Sequence, residues 1–187
     1  METIDELKII LSPEKIKERV KELGRQITAD YRQKDMVVIG ILKGAFIFMA
    51  DLVRHIDLPM AMDFVRLQSY GSSTESSGQI SITKDVELSL KDKHVLIVED
   101  IIDTGYTLKY LKEMLRLHDT ASIKLCCLID KKERRKVDVE ADYVGFEIER
   151  GFLVGYGLDY DEQYRQLPGI YHLSPRYEAK GFVPSDR

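Results

Sequence analysis

The sequence lacks several features that mark common classes of protein. Its 187 residues contain no apolar run near the roughly 18 residues that a membrane-spanning helix needs. Lysine and arginine together number 28 against 32 aspartates and glutamates, so the net charge is −4. Broad nucleic-acid binding requires a basic surface. We therefore expect neither a membrane nor a nucleic acid as a partner.

Cysteine is scarce, and signals for export are missing. The two cysteines, Cys126 and Cys127, are adjacent in an apolar stretch and would point to opposite faces of a strand. We expect core residues rather than a disulfide or a metal site. The acidic start, Met-Glu-Thr-Ile-Asp-Glu, has neither the basic nor the apolar region of a signal peptide. These features predict a cytoplasmic protein.

Familiar catalytic motifs are absent as well. No Walker-type phosphate loop, His-Glu-x-x-His or Gly-x-Ser-x-Gly pattern occurs, which leaves kinases, zincins and serine hydrolases without support. The four histidines are isolated, and we expect surface or capping roles for them. The chain has no internal repeat and no composition break, so we predict one domain over residues 1–187.

One stretch, residues 95–108, combines a predicted buried strand with many polar side chains. Its β-branched run Val95–Val98 is typical of a strand buried on both faces of a parallel sheet. We expect Glu99 and Asp100 to end this strand, with both carboxylates pointing over the sheet edge. Ligands of open α/β sheets bind beyond the carboxyl ends of the strands, which makes this junction a candidate site.

The residue types at this junction suit a sugar phosphate. Neighbouring carboxylates, here Glu99 and Asp100, suit paired hydroxyls, a bound Mg²⁺ or developing positive charge. Residues 104–107 offer hydroxyls and backbone N–H groups at a helix start, which is a phosphate-binding arrangement. The alternative is structural: Asp103 or Thr104 caps a helix, and the carboxylates are a solvated strand end.

Three other segments each allow two interpretations. Lys43-Gly44, after the predicted strand Met36–Leu42, is an anion-binding turn or carries an exposed lysine. The Gly/Ser-rich segment 69–79 is a hairpin linker or an active-site lid. Residues 151–160 supply an aromatic ring, glycines and an acid, either for a flat base pocket or, at Phe152, for core packing.

The order of residues in 95–108 resembles the phosphoribosyl-pyrophosphate (PRPP) signature of type I phosphoribosyltransferases. It contains an apolar run, two acids, two aliphatic residues, Asp, Thr, Gly, any residue and Thr. The turn 42–44 is similar to the family's pyrophosphate loop, Ser69-Tyr70 to its lid, and residues 151–165 to the hood of hypoxanthine (guanine) phosphoribosyltransferases. The resemblance covers most of residues 7–165.

The resemblance implies a fold and a reaction. The fold would be α/β, a Rossmann-like parallel sheet flanked by helices, with a core of about 34–145 and a small hood from about 1–11 and 146–187. The enzyme would join hypoxanthine, and also guanine, to PRPP with Mg²⁺, giving IMP or GMP and pyrophosphate. Family members commonly form homodimers or homotetramers.

The resemblance also implies a role for individual residues. Asp103 would be the general base or acid at the purine N7, and the peptide bond between Leu42 and Lys43 can be cis. Lys131 would donate to the 6-oxo oxygen and so select oxopurines over adenine. The implied contacts are, for ribose and 5′-phosphate, Glu99, Asp100, Asp103, Thr104, Gly105, Tyr106 and Thr107; for pyrophosphate, Lys43, Gly44 and Arg165; for the lid, Ser69 and Tyr70; for the purine, Lys131, Phe152, Leu153 and Asp159; and for Mg²⁺, Glu99, Asp100 and Asp159.

Two other functions also fit part of the sequence, and two segments have no assigned role. A PRPP-binding regulator with little catalysis would be expected to lose Asp103 or the hood, or to gain a basic face. A phospho-receiver module shares an acidic pair at a strand end but leaves Thr-Gly-x-Thr unexplained. The charged run 130–136 is typical of a solvated turn, and the tail from about Tyr171 matches no family segment.

Overall fold

The computed structural model describes residues 7–70 and 79–173, with the backbone alone at 69, 70 and 79. In chain order the elements are β1 (Lys8–Leu11), α1 (Pro13–Asp30), β2 (Met36–Leu42), α2 (Phe46–Val53), β3 (Met60–Tyr70), β4 (Gln79–Lys84), β5 (His94–Ile102), α3 (Tyr106–Arg116), β6 (Ser122–Asp130), β7 (Tyr143–Glu147), β8 (Leu153–Val154) and β9 (Ile170–His172).

Six strands form the central sheet, in the order β4-β3-β2-β5-β6-β7. Neighbouring strands are parallel except β4, which pairs antiparallel with β3. Helices α1 and α2 contribute to the apolar core on one face, and α3 contributes to the core on the other. The predicted Rossmann-like fold class is confirmed.

Helix α1 begins where its sequence predicts. Ser12 is the N-cap and its hydroxyl accepts from the Lys15 N–H at 3.4 Å, while Pro13 takes the first helical position, where no N–H is needed. The residues at helical spacing from Ile16 to Ile27 are buried, and α1 packs against α2. The helix therefore closes one face of the sheet.

A second, three-stranded sheet has the order β1-β9-β8 and joins the two ends of the described chain. Strand β9 was not predicted, because three residues carry no periodic pattern. Residues Leu153, Tyr156 and Ile170 belong to the same apolar core as α1 and α2. The small sheet thus packs onto the central one. The domain boundaries proposed above stay a prediction.

Strand β5 is longer than predicted, so the expectation that Glu99 and Asp100 end it is wrong. The ladder with β6 continues through Ile101 and Ile102. Residues alternate between faces along a strand, so Glu99 lies on the α3 face and Asp100 on the α2 face. Asp100 is accommodated because Gly44 has no side chain: a Cβ there would lie 1.7 Å from its Oδ2.

Two further features concern the cysteines and the helices. Cys126 and Cys127 are free, fully buried and divided between the two cores, as predicted. Within residues 7–70 and 79–173, no helix is both long and apolar enough to cross a membrane.

Candidate active site

Three segments meet at Gly44, in the turn between β2 and α2. The peptide bond Leu42–Lys43 is cis, as the resemblance implied. Asp100 of β5 occupies the space beside Gly44, and a Cβ on Gly157 would lie 2.1 Å from the Gly44 carbonyl oxygen. Gly157 itself has a φ of +103°, which side chains rarely adopt. The turn, the end of β5 and the loop after β8 therefore form one continuous surface.

The predicted pyrophosphate contacts lie together on this surface, joined by an acid that had no assigned role. The Oε2 of Glu162 is 2.8 Å from Lys43 Nζ and 3.4 Å from Arg165 Nη2. Its hydrogen bond with Lys43, helped by the Arg165 charge, lowers the Glu162 pKa from its ordinary value. An anion of higher charge could replace this carboxylate between the two cations.

Asp159 is held rigidly beside the same cations. Its side chain is 2% exposed, and its Oδ1 lies 3.0 Å from Arg165 Nη2. Its Oδ2 accepts the Glu162 N–H at 2.9 Å, and Arg165 also donates to the Gly157 carbonyl oxygen at 2.8 Å. Burying a carboxylate requires such compensation. The arrangement fixes where Asp159 can point.

The helix start that we expect to bind phosphate follows the carboxyl end of β5, the same end that carries Asp100. Gly105 is the N-cap of α3 with a φ of +86°, and a Cβ there would lie 2.9 Å from the Val137 Cγ2. Since Gly105 has no side chain, the first N–H groups of α3 are available to a ligand anion. Thr104 and Thr107 flank this start, and Tyr106 is 43% exposed.

Asp103 has two unequal carboxylate oxygens. Its Oδ2 lies 3.1 Å from Arg134 Nη1. Its Oδ1 is buried and has no hydrogen-bond partner within the part of the chain that the structure describes. A buried oxygen without a partner is costly and is a ready acceptor for a ligand proton. This geometry agrees with a base or acid and argues against a helix-capping role, since Gly105 is the N-cap.

The charged run 130–136 is not simply a solvated turn, and that interpretation is wrong for Lys131 and Arg135. Arg135 donates to the main-chain oxygens of Ile102 and Asp103, at 3.3 and 3.0 Å, and pairs with Asp130. The Lys131 side chain is 10% exposed. The strand order could have indicated this: β6 pairs in parallel with β5, so the residues that follow β6 lie at the same edge of the sheet as the residues that follow β5.

The predicted base-binding residues lie on two segments. The Phe152 and Tyr160 rings meet edge to face, with centroids 5.6 Å apart. Leu153 is buried in β8. Lys131 follows β6, where its N–H donates to the Ile102 carbonyl oxygen at 3.0 Å and its Nζ lies 3.7 Å from Glu133. Ser69 and Tyr70 end β3, but their side chains and residues 71–78 lie outside the described residues.

The proposed metal ligands suit a cation shared with substrate. Among the described residues, no three or more Asp, Glu, His or Cys side chains are grouped closely enough to hold a metal alone. Asp100 and Asp159, however, both border the Gly44 surface, through Gly44 itself and through the loop containing Gly157. Mg²⁺ typically binds one or two carboxylates together with substrate phosphates and water. The donor set fits such a site.

The chain is similar to known proteins in sequence and in fold. Residues 6–161 match the family model described as a phosphoribosyl transferase domain. The hypoxanthine-guanine phosphoribosyltransferase of Bacillus subtilis is 51% identical over 173 residues, which covers 92% of this chain and 96% of that protein. The chain belongs to the hypoxanthine-guanine phosphoribosyltransferase family.

Solved structures support membership of this family. A hypoxanthine phosphoribosyltransferase from Staphylococcus aureus is similar with a TM-score of 0.90 and 46% identity, covering 95% of this chain and 98% of that one. The hypoxanthine phosphoribosyl transferase of Trypanosoma cruzi, studied for the role of its C-terminal region in oligomeric state and enzymatic activity, gives a TM-score of 0.89 at 40% identity, with coverage of 97% and 98%. Family membership is consistent with a divalent cation and small-molecule substrates.

Proposed function

We propose that the chain transfers the phosphoribosyl group of PRPP to a 6-oxopurine, hypoxanthine and also guanine, forming IMP or GMP and pyrophosphate. This is a purine salvage reaction. The single observation that supports it best is Asp103, whose unpaired buried oxygen lies at the start of the phosphate-binding loop in a chain of this family. A purely regulatory PRPP-binding role has no support, because the relatives are named as enzymes.

The site separates charge in the way that this reaction needs. Departure of pyrophosphate leaves positive charge on the ribose, which the carboxylates of Glu99 and Asp100 would stabilise. Lys43, the amides around Gly44, and Arg165 would bind the departing anion. A divalent cation, which we propose is Mg²⁺ held by Asp100 and Asp159 with the substrate phosphates, would supply further charge neutralisation, whereas Glu99 lies on the opposite face of the sheet from Asp100.

The purine would be recognised by stacking on the face of its ring and by hydrogen bonds to its edges. Phe152 would stack on the ring, and backbone groups near Leu153 and Asp159 would bind one edge. Lys131 would donate to the 6-oxo oxygen, a bond that the amino group of adenine cannot accept. Asp103 would exchange the proton at N7, while residues 104–107 hold the 5′-phosphate.

Closure and assembly complete the proposal. Ser69 and Tyr70 would belong to a lid that keeps water from the reacting ribose. We propose a homodimer or homotetramer, the assemblies that the family resemblance implies. The two buried, unpaired cysteines support a cytoplasmic location.

The decisive assay measures pyrophosphate release with PRPP and Mg²⁺ and, separately, hypoxanthine, guanine, xanthine or adenine. We expect turnover with hypoxanthine and guanine and none with adenine. In Asp103→Asn, turnover should fall by roughly 10²- to 10⁴-fold, the usual contribution of a general acid or base, while the circular dichroism spectrum is unchanged. Absence of turnover with every purine would refute the proposal.

A further inference from the structure

We propose that Arg134 is a positioning residue for the transfer reaction. Its guanidinium would hold Oδ2 of Asp103, so that Oδ1 is the oxygen that exchanges a proton with the purine. This inference rests on the function proposed above, because Asp103 has a proton to exchange only if a purine is the substrate. It assigns a role to Arg134, a residue of the charged run 130–136 for which the sequence indicated none.

The contact itself is direct and charged. Arg134 Nη1 lies 3.1 Å from Asp103 Oδ2, and the two side chains are 34% and 30% exposed. Hydrogen bonds between a guanidinium and a carboxylate are directional and stronger than neutral ones. An ion pair this exposed contributes little to stability. We therefore expect the ion pair to orient the Asp103 carboxylate rather than to add to the free energy of folding.

The main chain of Asp103 is already fixed without Arg134. Arg135 Nε donates to the Asp103 carbonyl oxygen at 3.0 Å, and the Lys136 N–H donates to the Thr104 carbonyl oxygen at 3.0 Å. Only the side-chain torsions of Asp103 remain to be set. The terminal torsion of aspartate is broad and nearly two-fold. A partner on one carboxylate oxygen is therefore needed to fix the direction of the other oxygen.

The second oxygen is the one left for chemistry. Asp103 Oδ1 is buried and, within residues 7–70 and 79–173, accepts no hydrogen bond. With Oδ2 held by Arg134, the free lone pairs of Oδ1 have a fixed direction. An acid or base whose orientation is set by a third group is a recurring catalytic arrangement. Here Arg134 would be that third group.

The neighbouring Lys132 provides a matched control. Its Nζ lies 3.3 Å from Glu147 and 3.9 Å from Asp130, and no contact of Lys132 involves Asp103 among the interactions of the described residues. Lys132→Gln and Arg134→Gln each remove one positive charge from the same turn. A general electrostatic effect would appear in both variants, whereas an effect through Asp103 would appear in Arg134→Gln alone.

The test is steady-state kinetics on the full-length protein with PRPP, Mg²⁺ and hypoxanthine. We expect kcat of Arg134→Gln to fall about ten-fold, since misplacement of a reacting group by about 1 Å costs up to 10²-fold, while KM for PRPP changes less than about two-fold. Arg134→Lys, which keeps a donor, should recover much of the loss. Lys132→Gln should match the wild type.

A double-mutant cycle separates positioning from folding. Adding Arg134→Gln to Asp103→Asn should cause no further loss of kcat, because the oriented carboxylate is already gone. Three results would each overturn the inference: an unchanged kcat in Arg134→Gln, an equal loss of kcat in Lys132→Gln, or an additive loss in the double mutant. The proposed function would still hold in these cases, provided that the wild type turns over. No turnover by the wild type would instead overturn the proposed function and this inference with it.

Discussion

The carboxylate of Glu162 lies between two cations that we propose bind pyrophosphate. It accepts from Lys43 Nζ at 2.8 Å and lies 3.4 Å from Arg165 Nη2. Pyrophosphate would compete with this carboxylate for both cations. A binding-competent state that is only partly populated weakens the apparent affinity of a ligand in proportion. Glu162 would therefore favour release of the product.

Replacing this acid with an amide should strengthen pyrophosphate binding. In Glu162→Gln we expect the inhibition constant for pyrophosphate to fall about three- to ten-fold, with the larger effect at low ionic strength, because screening weakens charge competition. Product inhibition against PRPP at two salt concentrations measures this. Glu147→Gln, which changes an exposed acid paired with Lys132, is the control. An unchanged or weaker inhibition in Glu162→Gln would contradict the argument.

For single residues, the sequence patterns predicted which residues share a surface better than they predicted which side chains contact each other. The motifs brought Lys43, Gly44 and Arg165 to one candidate surface, and the structure places them there. They did not indicate that Glu162 joins the two cations or that Arg134 contacts the predicted base. Charged residues in a run look alike in sequence, and only the shared edge of neighbouring strands selects among them.

Among the elements, the turn between β2 and α2 depends on the absence of a side chain at Gly44. A Cβ would lie 1.7 Å from Asp100 Oδ2, closer than any real contact. In Gly44→Ala the carboxylate or the turn must move. We expect kcat/KM for PRPP to fall by more than about ten-fold, since misplaced site groups cost up to 10²-fold.

Gly24→Ala separates this effect from a loss of stability. A Cβ on Gly24, in α1, would lie 2.5 Å from the Cβ of His55, so that variant is also crowded. It should lower the melting temperature while leaving KM for PRPP unchanged in the folded fraction. If Gly44→Ala behaves in the same way, the turn is only a packing feature.

The β3–β4 hairpin is fixed at its base by Asp63. Its carboxylate accepts from the N–H groups of Phe64 and Glu87, both at 2.7 Å, from Leu88 at 3.2 Å, and from Lys84 Nζ at 3.1 Å. Burial raises the pKa of this carboxyl, but the backbone and Lys84 hydrogen bonds outweigh it and hold the pKa below its usual value.

Removing this charge should cost stability in a pH-dependent way. At pH 7 we expect Asp63→Asn to lower the free energy of unfolding by about 1–3 kcal/mol, the cost of unpaired buried donors. A lowered folded-state pKa stabilises above the unfolded value of about 3.9 and loses this contribution as pH falls through the folded pKa. Urea titrations at pH 7 and about pH 3 should show the gap closing. Asp85→Asn, at an exposed neighbour whose carboxylate accepts from the Val86 N–H, should show no such gap.

At the scale of elements, long periodic segments were predictable and short ones were not. The N-terminus of α1 and the buried strands of the central sheet followed from caps and apolar runs. The end of β5 did not, because two acids look like a terminus unless the space beside Gly44 is known. Strands β8 and β9 hold two and three residues, too few for a periodic signal.

A hydrogen bond links the loop after β8 to helix α2, in addition to the apolar core that the small sheet shares with the central one. The hydroxyl of Tyr156, in the loop after β8, donates to Asp51 Oδ2 of α2 at 2.6 Å. A similar hydrogen bond lies wholly within the central sheet and its helices, where the Tyr143 hydroxyl of β7 donates to Asp30 Oδ2 of α1 at 2.7 Å. Both phenols are largely buried, and burial with a neighbouring carboxylate raises the pKa of each.

These two tyrosines allow stability and positioning to be measured separately. Losing either hydroxyl should cost about 1–2 kcal/mol, or roughly 2–8 °C of melting temperature for a domain of this size. Only Tyr156→Phe should also raise KM for the purine, by about two- to five-fold, because it loosens the loop that leads to Asp159 and Arg165 from the core that carries Asp103. Melting curves and steady-state kinetics on both variants test this. Equal KM values in the two variants would mean that the apolar core alone sets how the small sheet lies on the large one.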